Sequence, residues 1–455
     1  MCGGESAPSG TGRGMGDIVT QVTDDAQRTR LFWASCMALV ATSVAFGVIT
    51  SSMQDFTGLF GLTESQSGWI GGASLGGFAI SIILLGTVIE KVGISISIKM
   101  AFLCHVFGIL LMTFAEGFSQ LLAGASIIAL GNGCVEAGCN PLVATLYPED
   151  KTVRLNKFHI FWPLGIIVGA LFGFWVTQSA AAVPAGETWA LFGLSVMQAK
   201  LAFVMVPTLI YGYLFLGQEI PATERVTAKV TDEEVKESLV SPLFLTMLFC
   251  MGLTATLELA PGRWIENLMG PALVNANIVQ DGGVLVLVYG AALMAVLRYF
   301  AGNFMKRFTP TGVLLGSVVI GGVGLFAMTY ASSLFTILAT ATLFYAGVCF
   351  LWPTMIGFVA ERVPNSGAMG LCLMGGVGML VVGYLAVPGI GALTDYYIEV
   401  AMGAGQEKAE ATAYAGKMVF RWIAALAIPL ALVFNGLNQK YGSGVAGNTR
   451  EAVSV

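Results

Sequence analysis

Apolar runs of roughly 17 to 25 residues, the length a helix needs to cross a bilayer, recur along this chain near 31–53, 66–88, 94–115, 119–147, 157–178 and 198–217, then again near 242–260, 283–304, 310–330, 334–359, 367–393 and 417–438. Hydrocarbon tolerates only a helix that satisfies its own backbone or a closed barrel, and these runs lack the period-2 alternation of a barrel strand. The chain therefore reads as an all-α membrane protein with 12 transmembrane helices. Charged residues make up 11 % of it, against roughly 25 % in soluble domains, too few to clothe a water-facing surface.

The polar stretches divide the spans. Residues 1–30 are Gly/Ser-rich and then charged, with no apolar core beside a small-residue cleavage site, and read as a soluble tail, not a cleaved signal. Residues 218–241 form a charged linker between six spans over 31–217 and six over 242–438, and 439–455 is a second tail. With the N-terminus inside, Arg28, Arg30, Lys91, Lys99, Lys151, Arg154, Lys157, Arg225, Lys229, Lys306, Arg307, Arg362 and Lys440 all fall on the inner side, and only Lys200, Arg263, Lys408, Lys417 and Arg421 on the outer. That asymmetry predicts a plasma (inner) membrane protein with both termini cytoplasmic. No basic cluster interleaved with aromatics suggests a nucleic acid, and no His/Cys spacing suggests a metal. The cysteines read as small apolar residues, and no cofactor is expected.

The two sets of six spans echo one another. Span two ends in Gly86, Glu90 and Lys91 and span eight in Gly302, Lys306 and Arg307, while span four carries Asn140-Pro141 and span ten Trp352-Pro353. Such an echo suggests two pseudo-symmetric six-helix bundles, an organisation in which a solute site lies near the bilayer midplane between the halves.

A carboxylate inside a spanning helix costs several kcal/mol unless paired, hydrated or protonated, so it marks function by default. Glu136 lies mid-span, with Asn132 four residues before it and Asn140 four after, on one helix face; a carboxyl in a partly dry cavity can bind and release a proton during a cycle. Glu258 is placed near the outer end of span seven, hydrated or paired with Arg263 if not functional. Arg298 either snorkels toward the cytoplasm or holds a partner acid. His105 reads as a satisfied core histidine, and His159 as a candidate solute contact. Trp162 and Trp352 offer faces on which a sugar ring stacks, with core packing as the alternative, whereas Trp33, Trp175, Trp189 and Trp422 read as interfacial anchors.

The runs Gly133 to Glu136, Asn140-Pro141, Pro148-Glu149 and Arg154 to Asn156 with His159, Phe161 and Gly165 resemble the fucose-permease-like sugar:proton symporters of the major facilitator superfamily. The resemblance extends to Glu258, Gly262 and Trp264, to Arg298 to Phe300 with Arg307, Phe308 and Pro310, and to Trp352 to Thr354. It implies the major facilitator fold, with Glu136 and Asn140 as the acid and amide of span four that meet sugar and take part in proton coupling. The superfamily's loop motif stands here as Gly86, Glu90, Lys91 and Gly93, where an Asp and paired basic residues are usual. In span one the family's other coupling acid falls near Thr50, which cannot ionise, and the nearest acid is Asp55. Trp162 stands where the family has an asparagine.

These readings converge on a secondary transporter importing a small polar solute, a sugar, with a proton by alternating access. Glu136 and Glu258 are the proton-coupling candidates. Asn140, His159, Trp162, Trp264 and Trp352 are the solute contacts. Gly86, Glu90, Lys91, Gly93, Arg154, Arg298 and Arg307 are the gate, with Glu90, Arg154 and Arg307 as the cross-half ion-pair formers. An exporter of amphiphilic molecules and a non-transporting solute sensor are the alternatives. No catalytic arrangement or phosphate loop suggests an enzyme, and the glycine runs at 321–324 and 375–378 read as sites of close helix packing.

Overall fold

The computed structural model describes residues 25–62, 64–184, 187–261 and 282–442, and the elements found there are helices. The first half contains α1 (Asp25–Ser51), α2 (Met53–Phe60), α3 (Glu64–Val92), α4 (Ile94–Thr113), α5 (Phe118–Leu146), α6 (Lys151–Phe158), α7 (Phe161–Ala181), α8 (Val196–Phe203) and α9 (Met205–Phe215). Two linker helices follow, α10 (Glu224–Thr227) and α11 (Asp232–Leu239). The second half contains α12 (Pro242–Leu259), α13 (Gly282–Tyr299), α14 (Ala301–Met328), α15 (Leu334–Val348), α16 (Leu351–Arg362), α17 (Gly367–Leu380), α18 (Val387–Gly403), α19 (Lys408–Ala425) and α20 (Ala427–Tyr441). Eleven helical segments among the described residues are long and apolar enough to cross a membrane, and α13 supplies a shorter apolar one.

Several spans are broken, and all but one of these breaks sit just before a proline; the exception is the eighth span, which parts at Phe300 between α13 and α14. The pairs α6/α7, α8/α9, α15/α16 and α19/α20 part three or four residues ahead of Pro163, Pro207, Pro353 and Pro429, and a π turn at Val381–Ala386 joins α17 to α18 ahead of Pro388. Proline has no N–H for the carbonyl four residues back and its ring clashes with that carbonyl, so the helix loosens there. In α14 the backbone turns at Thr309, where φ is +59°; Ala301–Phe308 thus completes the eighth span and the ninth begins at Pro310.

Boundaries depart from the apolar runs in two places. The fifth span starts at Lys151, well before residue 157, and the eleventh and twelfth spans reach Gly403 and back to Lys408. There α18 and α19 pack on each other beyond the apolar stretch, with Trp422 Nε1 donating to the Tyr397 hydroxyl at 2.8 Å. Packing partners, not hydropathy, set those ends.

The halves meet where α17 runs along α3, α13 along α7, and α16 against α6. Both described chain ends lie on the face that carries the linker: Arg28 at the start of α1 pairs with Glu149, and Tyr441 at the end of α20 packs on Phe358. Lipid provides no hydrophobic drive between helices, so close packing must hold them. Glycine makes it possible. A Cβ on Gly347 would stand 2.1 Å from the backbone nitrogen of Gly321, and one on Gly133 2.3 Å from the carbonyl of Phe78.

Substituting Gly347→Val should lower the melting temperature of the purified protein in detergent, at a cost of roughly 1–3 kcal/mol. Gly316→Ala, where a Cβ meets nothing within 4 Å, should leave it unchanged; equal melting of the two variants would refute this account of the α14–α15 contact.

Candidate functional site

Small residues on α5 let α3 and α4 close around it, so that Glu136 and Asn140 are 2 % and 1 % exposed. Asn140 Nδ2 donates to Glu136 Oε2, as their four-residue spacing on one helix permits. The break between α6 and α7 turns His159 inward, and its Nε2 lies 3.2 Å from Asn140 Oδ1. An amide oxygen only accepts, so that nitrogen carries the hydrogen. Imidazole, amide and carboxyl thus form a chain of donors and acceptors reaching from α7 to α5.

The second half supplies the facing wall. Arg298, 2 % exposed, donates through Nε to the carbonyl of Cys349 at 2.6 Å and through Nη1 to the carbonyl of His159 at 2.9 Å, and pairs through Nη2 with Glu258 Oε1 at 3.0 Å. The other Glu258 oxygen accepts from the backbone N–H of Trp352 at 3.1 Å. That N–H is free because Trp352 lies in the first turn of α16, where helical donors lack partners. Glu258 is therefore neutralised by Arg298 and bonded on both oxygens. Glu136 has no ion-pair partner among the described residues.

Glu136, His159, Trp162, Glu258, Leu259, Arg298, Trp352 and Met379 line a small, tightly closed cavity between the halves. The Trp352 ring rests on Gly378, where a Cβ would approach it to 2.9 Å. Trp162 packs obliquely on Phe46, with ring centroids 6.1 Å apart. Both indoles are held from behind, and both border the cavity.

Below the cavity, toward the linker face, the halves are sealed by backbone capping. Glu90 Oε1 accepts from the N–H of Ala368, in the first turn of α17, at 2.9 Å. Glu361 accepts from the N–H of Thr152, in the first turn of α6, at 3.0 Å, and from its hydroxyl at 2.5 Å. Each half thus places a carboxylate at a helix N-terminus of the other, where the unpaired N–H groups and the helix dipole favour negative charge. Glu90 is also held by Arg225 of α10, which bonds Asp232 as well. That hydrogen bond from Arg225 holds the Asp232 carboxyl below its usual range. Gly86 admits the Cys372 side chain of α17, which a Cβ would meet at 2.4 Å, and Gly93 turns the chain at φ +86°.

Several candidates lie elsewhere than the sequence suggested. Glu258 is buried against Arg298, and Arg263 and Trp264 fall outside the described residues. Of the two readings of Arg298, the structure has the one in which it holds a partner acid, at the central cavity and not at the linker face. Arg154 stacks 4.2 Å over Tyr147 within its own half, and Arg307 is exposed with its guanidinium over Phe308, so neither forms a cross-half ion pair. Lys91 is exposed. Asn132 turns away from Glu136 to His105 Nε2 at 2.9 Å, while His105 Nδ1 meets the Tyr211 hydroxyl at 3.0 Å. Asp55 pairs with Lys200 at 2.6 Å, in the first half and away from the cavity.

The cross-half role of Glu361, the vacated Cys349 carbonyl and Met379 were missed. A proline four residues downstream was the available signal for the carbonyls.

Replacing Arg298 with Met would strand Glu258 as an unpaired buried charge. The expected loss is roughly 3–5 kcal/mol, read as a fall in melting temperature, with much of it recovered in the double variant Arg298→Met, Glu258→Gln. A double variant no more stable than the single one would remove the ion pair as the cause.

Comparison with known proteins follows the same lines. Residues 31–270 match the model of the Major Facilitator Superfamily. The L-fucose-proton symporter of Escherichia coli (strain K12) is 30 % identical over 142 residues, a stretch that covers 30 % of this chain and 32 % of the symporter. A putative glucose/galactose transporter of Helicobacter pylori (strain ATCC 700392 / 26695) is 24 % identical over 372 residues, covering 74 % of this chain and 82 % of that one. Among solved structures, FucP, a Major Facilitator Superfamily transporter in the outward conformation, superposes with a TM-score of 0.68 at 18 % identity, covering 89 % of this chain and 98 % of FucP. With its helical halves, its sealed seam and more than half its length matched, this chain belongs to the Major Facilitator Superfamily.

Proposed function

We propose that this protein is a secondary transporter that imports a sugar together with a proton. In this reading 31–217 and 242–438 are the two bundles that rock, 218–241 is a cytoplasmic linker, and 1–30 and 439–455 are cytoplasmic tails in a plasma membrane protein. The distribution of Lys and Arg supports that orientation, and the names of the relatives support the solute class. The observation that carries the proposal is Glu136: an acid buried in the central cavity, without an ion-pair partner among the described residues, hydrogen-bonded to an amide and through it to an imidazole.

The geometry suggests how the work is done. With the linker face sealed by Glu90 and Glu361, solute enters from the opposite face and reaches the cavity. Asn140, His159 and Glu136 offer hydroxyl groups both donors and acceptors, and the faces of Trp162 and Trp352 take the apolar side of a sugar ring. An unpaired carboxylate resists enclosure in a dry seam, whereas its protonated form does not. Solute and proton together therefore permit the closure that neither permits alone. Of the two acids, Glu136 carries the proton and Glu258 anchors Arg298.

In proteoliposomes, Glu136→Gln should abolish concentrative uptake while solute exchange persists, and Asn140→Ala should weaken binding by roughly tenfold, the loss expected of a buried hydrogen bond. Uptake by Glu136→Gln that keeps the parent's pH dependence would take the proton away from Glu136. A melting-temperature screen against hexoses, deoxyhexoses, disaccharides and nucleosides identifies the solute, because a ligand that binds only the folded state raises the midpoint. Outward flow of an amphiphile would favour an exporter, and binding without flux a sensor.

A further inference from the structure

Three prolines lie on helices at the seam between the halves and a fourth, Pro364, follows the end of α16 and bars the helix from continuing; each leaves the carbonyl four residues earlier without a helical donor. In every case a side chain from a different span fills the gap. Pro163 vacates His159, whose oxygen takes Arg298 Nη1 at 2.9 Å from the second half. Pro364 vacates Ala360, which takes Lys151 Nζ at 3.4 Å from the first half. Pro141 vacates Ala137, which takes Cys372 Sγ at 3.8 Å from the second half. Pro353 vacates Cys349, which takes Arg298 Nε at 2.6 Å within the second half. Pro207 and Pro429 differ: α8 and α9 pack on α1, α4 and α7, and α19 and α20 on α12, α14 and α18. Among the described residues, no side chain from the opposite half reaches the carbonyls of Phe203 or Ala425.

We infer that proline-vacated carbonyls key the two halves together in the linker-closed state, and that Pro163 is a positioning residue that seats Arg298 across the central seam. The inference rests on the reading that the halves alternate, and it adds what holds one of the alternates. An ordinary helix spends one lone pair of each carbonyl on its own hydrogen bond and leaves a neighbour only the second, as Cys134 of α5 does for the Ser97 hydroxyl at 2.7 Å. A proline exposes one acceptor at a chosen height. Inside a dry seam that acceptor needs a protein donor, so closing the seam and satisfying the backbone become the same event. When the linker face opens, water can replace the lost donor at each carbonyl and solvate Arg298 and Lys151. The keys therefore discriminate between the two states.

The consequence for substitution runs against the usual expectation for proline. Pro163→Ala returns an N–H to the His159 carbonyl and lets the helix run through its break. Arg298 Nη1 must then share that carbonyl with a helical donor, and the straightened helix carries it away from the guanidinium, in the closed state only, so the balance shifts toward the open one. The expected shift is roughly tenfold, the effect of one hydrogen bond to a charged group. Pro364→Ala should act in the same direction through Lys151, outside the central cavity.

Cys372 is a built-in reporter, since it is 1 % exposed in the seam beside Gly86 and Ala137. The experiment treats the purified full-length protein, without solute, with N-ethylmaleimide and follows alkylation of the Cys372 peptide by mass spectrometry. Pro163→Ala and Pro364→Ala should raise the rate roughly tenfold, while Pro207→Ala and Pro429→Ala leave it at the parent value. Unchanged rates in the first two variants would overturn the inference, and so would an equal rise in the two controls, which would mean general loosening. If Pro163→Ala does not fold, Pro364→Ala against the controls decides alone. Because no solute is present, a wrong sugar assignment leaves this result untouched; a Cys372 that reacts in no variant, parent included, would instead overturn the alternation on which the inference rests.

Discussion

Hydrocarbon cannot donate or accept a hydrogen bond, and the architecture of this protein answers to that fact. Every carbonyl freed by a helix break inside the membrane must find a donor in the protein or in a water-filled cavity. Arg298 meets two such carbonyls, those of His159 and Cys349, and pairs with Glu258 at the same time. One side chain thereby ties α13 to α7, to the break between α15 and α16, and to α12. The breaks before Pro163 and Pro353, which weaken individual spans, are where Arg298 joins the halves.

The same constraint separates two acids that composition cannot tell apart. Glu258 has both oxygens engaged, one by a guanidinium and one by a backbone N–H at the start of α16. Its charge is part of the wall. Glu136 bonds only to an amide and through it to an imidazole, so it has no ion-pair partner of its own and feels the Arg298 charge only across the cavity. A buried carboxyl with a dedicated cation is costly to disturb, whereas one without is suited to a change of protonation.

At the linker face, closure relies on helix ends more than on charge pairs. Exposed ion pairs contribute little, but a carboxylate at a helix N-terminus meets unpaired N–H groups that are present in any sequence. Glu90 at α17 and Glu361 at α6 use this device in opposite directions across the seam. Arg225 then links Glu90 to the connector between the halves. The loop motif around Gly86 and Glu90 is thus a packing and capping device: a glycine to admit Cys372 and an acid to cap a helix.

Much of the architecture was legible before any coordinates. Spanning helices follow from apolar length, because hydrocarbon forces the backbone to satisfy itself, and the hydrogen bond between Glu136 and Asn140 follows from an acid and an amide one turn apart on one helix. Other features were not legible, for a common reason: they depend on which side chain from a distant span arrives at a given height. Glu258 looked interfacial because its span ends beside it, at Leu259, yet a guanidinium from another span buries it there. Arg298, in the last turn of α13, had snorkelling and a partner acid as equal readings until packing brought Glu258 to it. Arg154 and Arg307 carried the right charge at the right depth, yet their directions send them to Tyr147 and Phe308. Local chemistry determined the helices, the breaks at proline and the acid placed one turn from an amide; only the packing of one half against the other decided which vacated carbonyl met which donor, because an orphan acceptor states that a partner is needed without naming it.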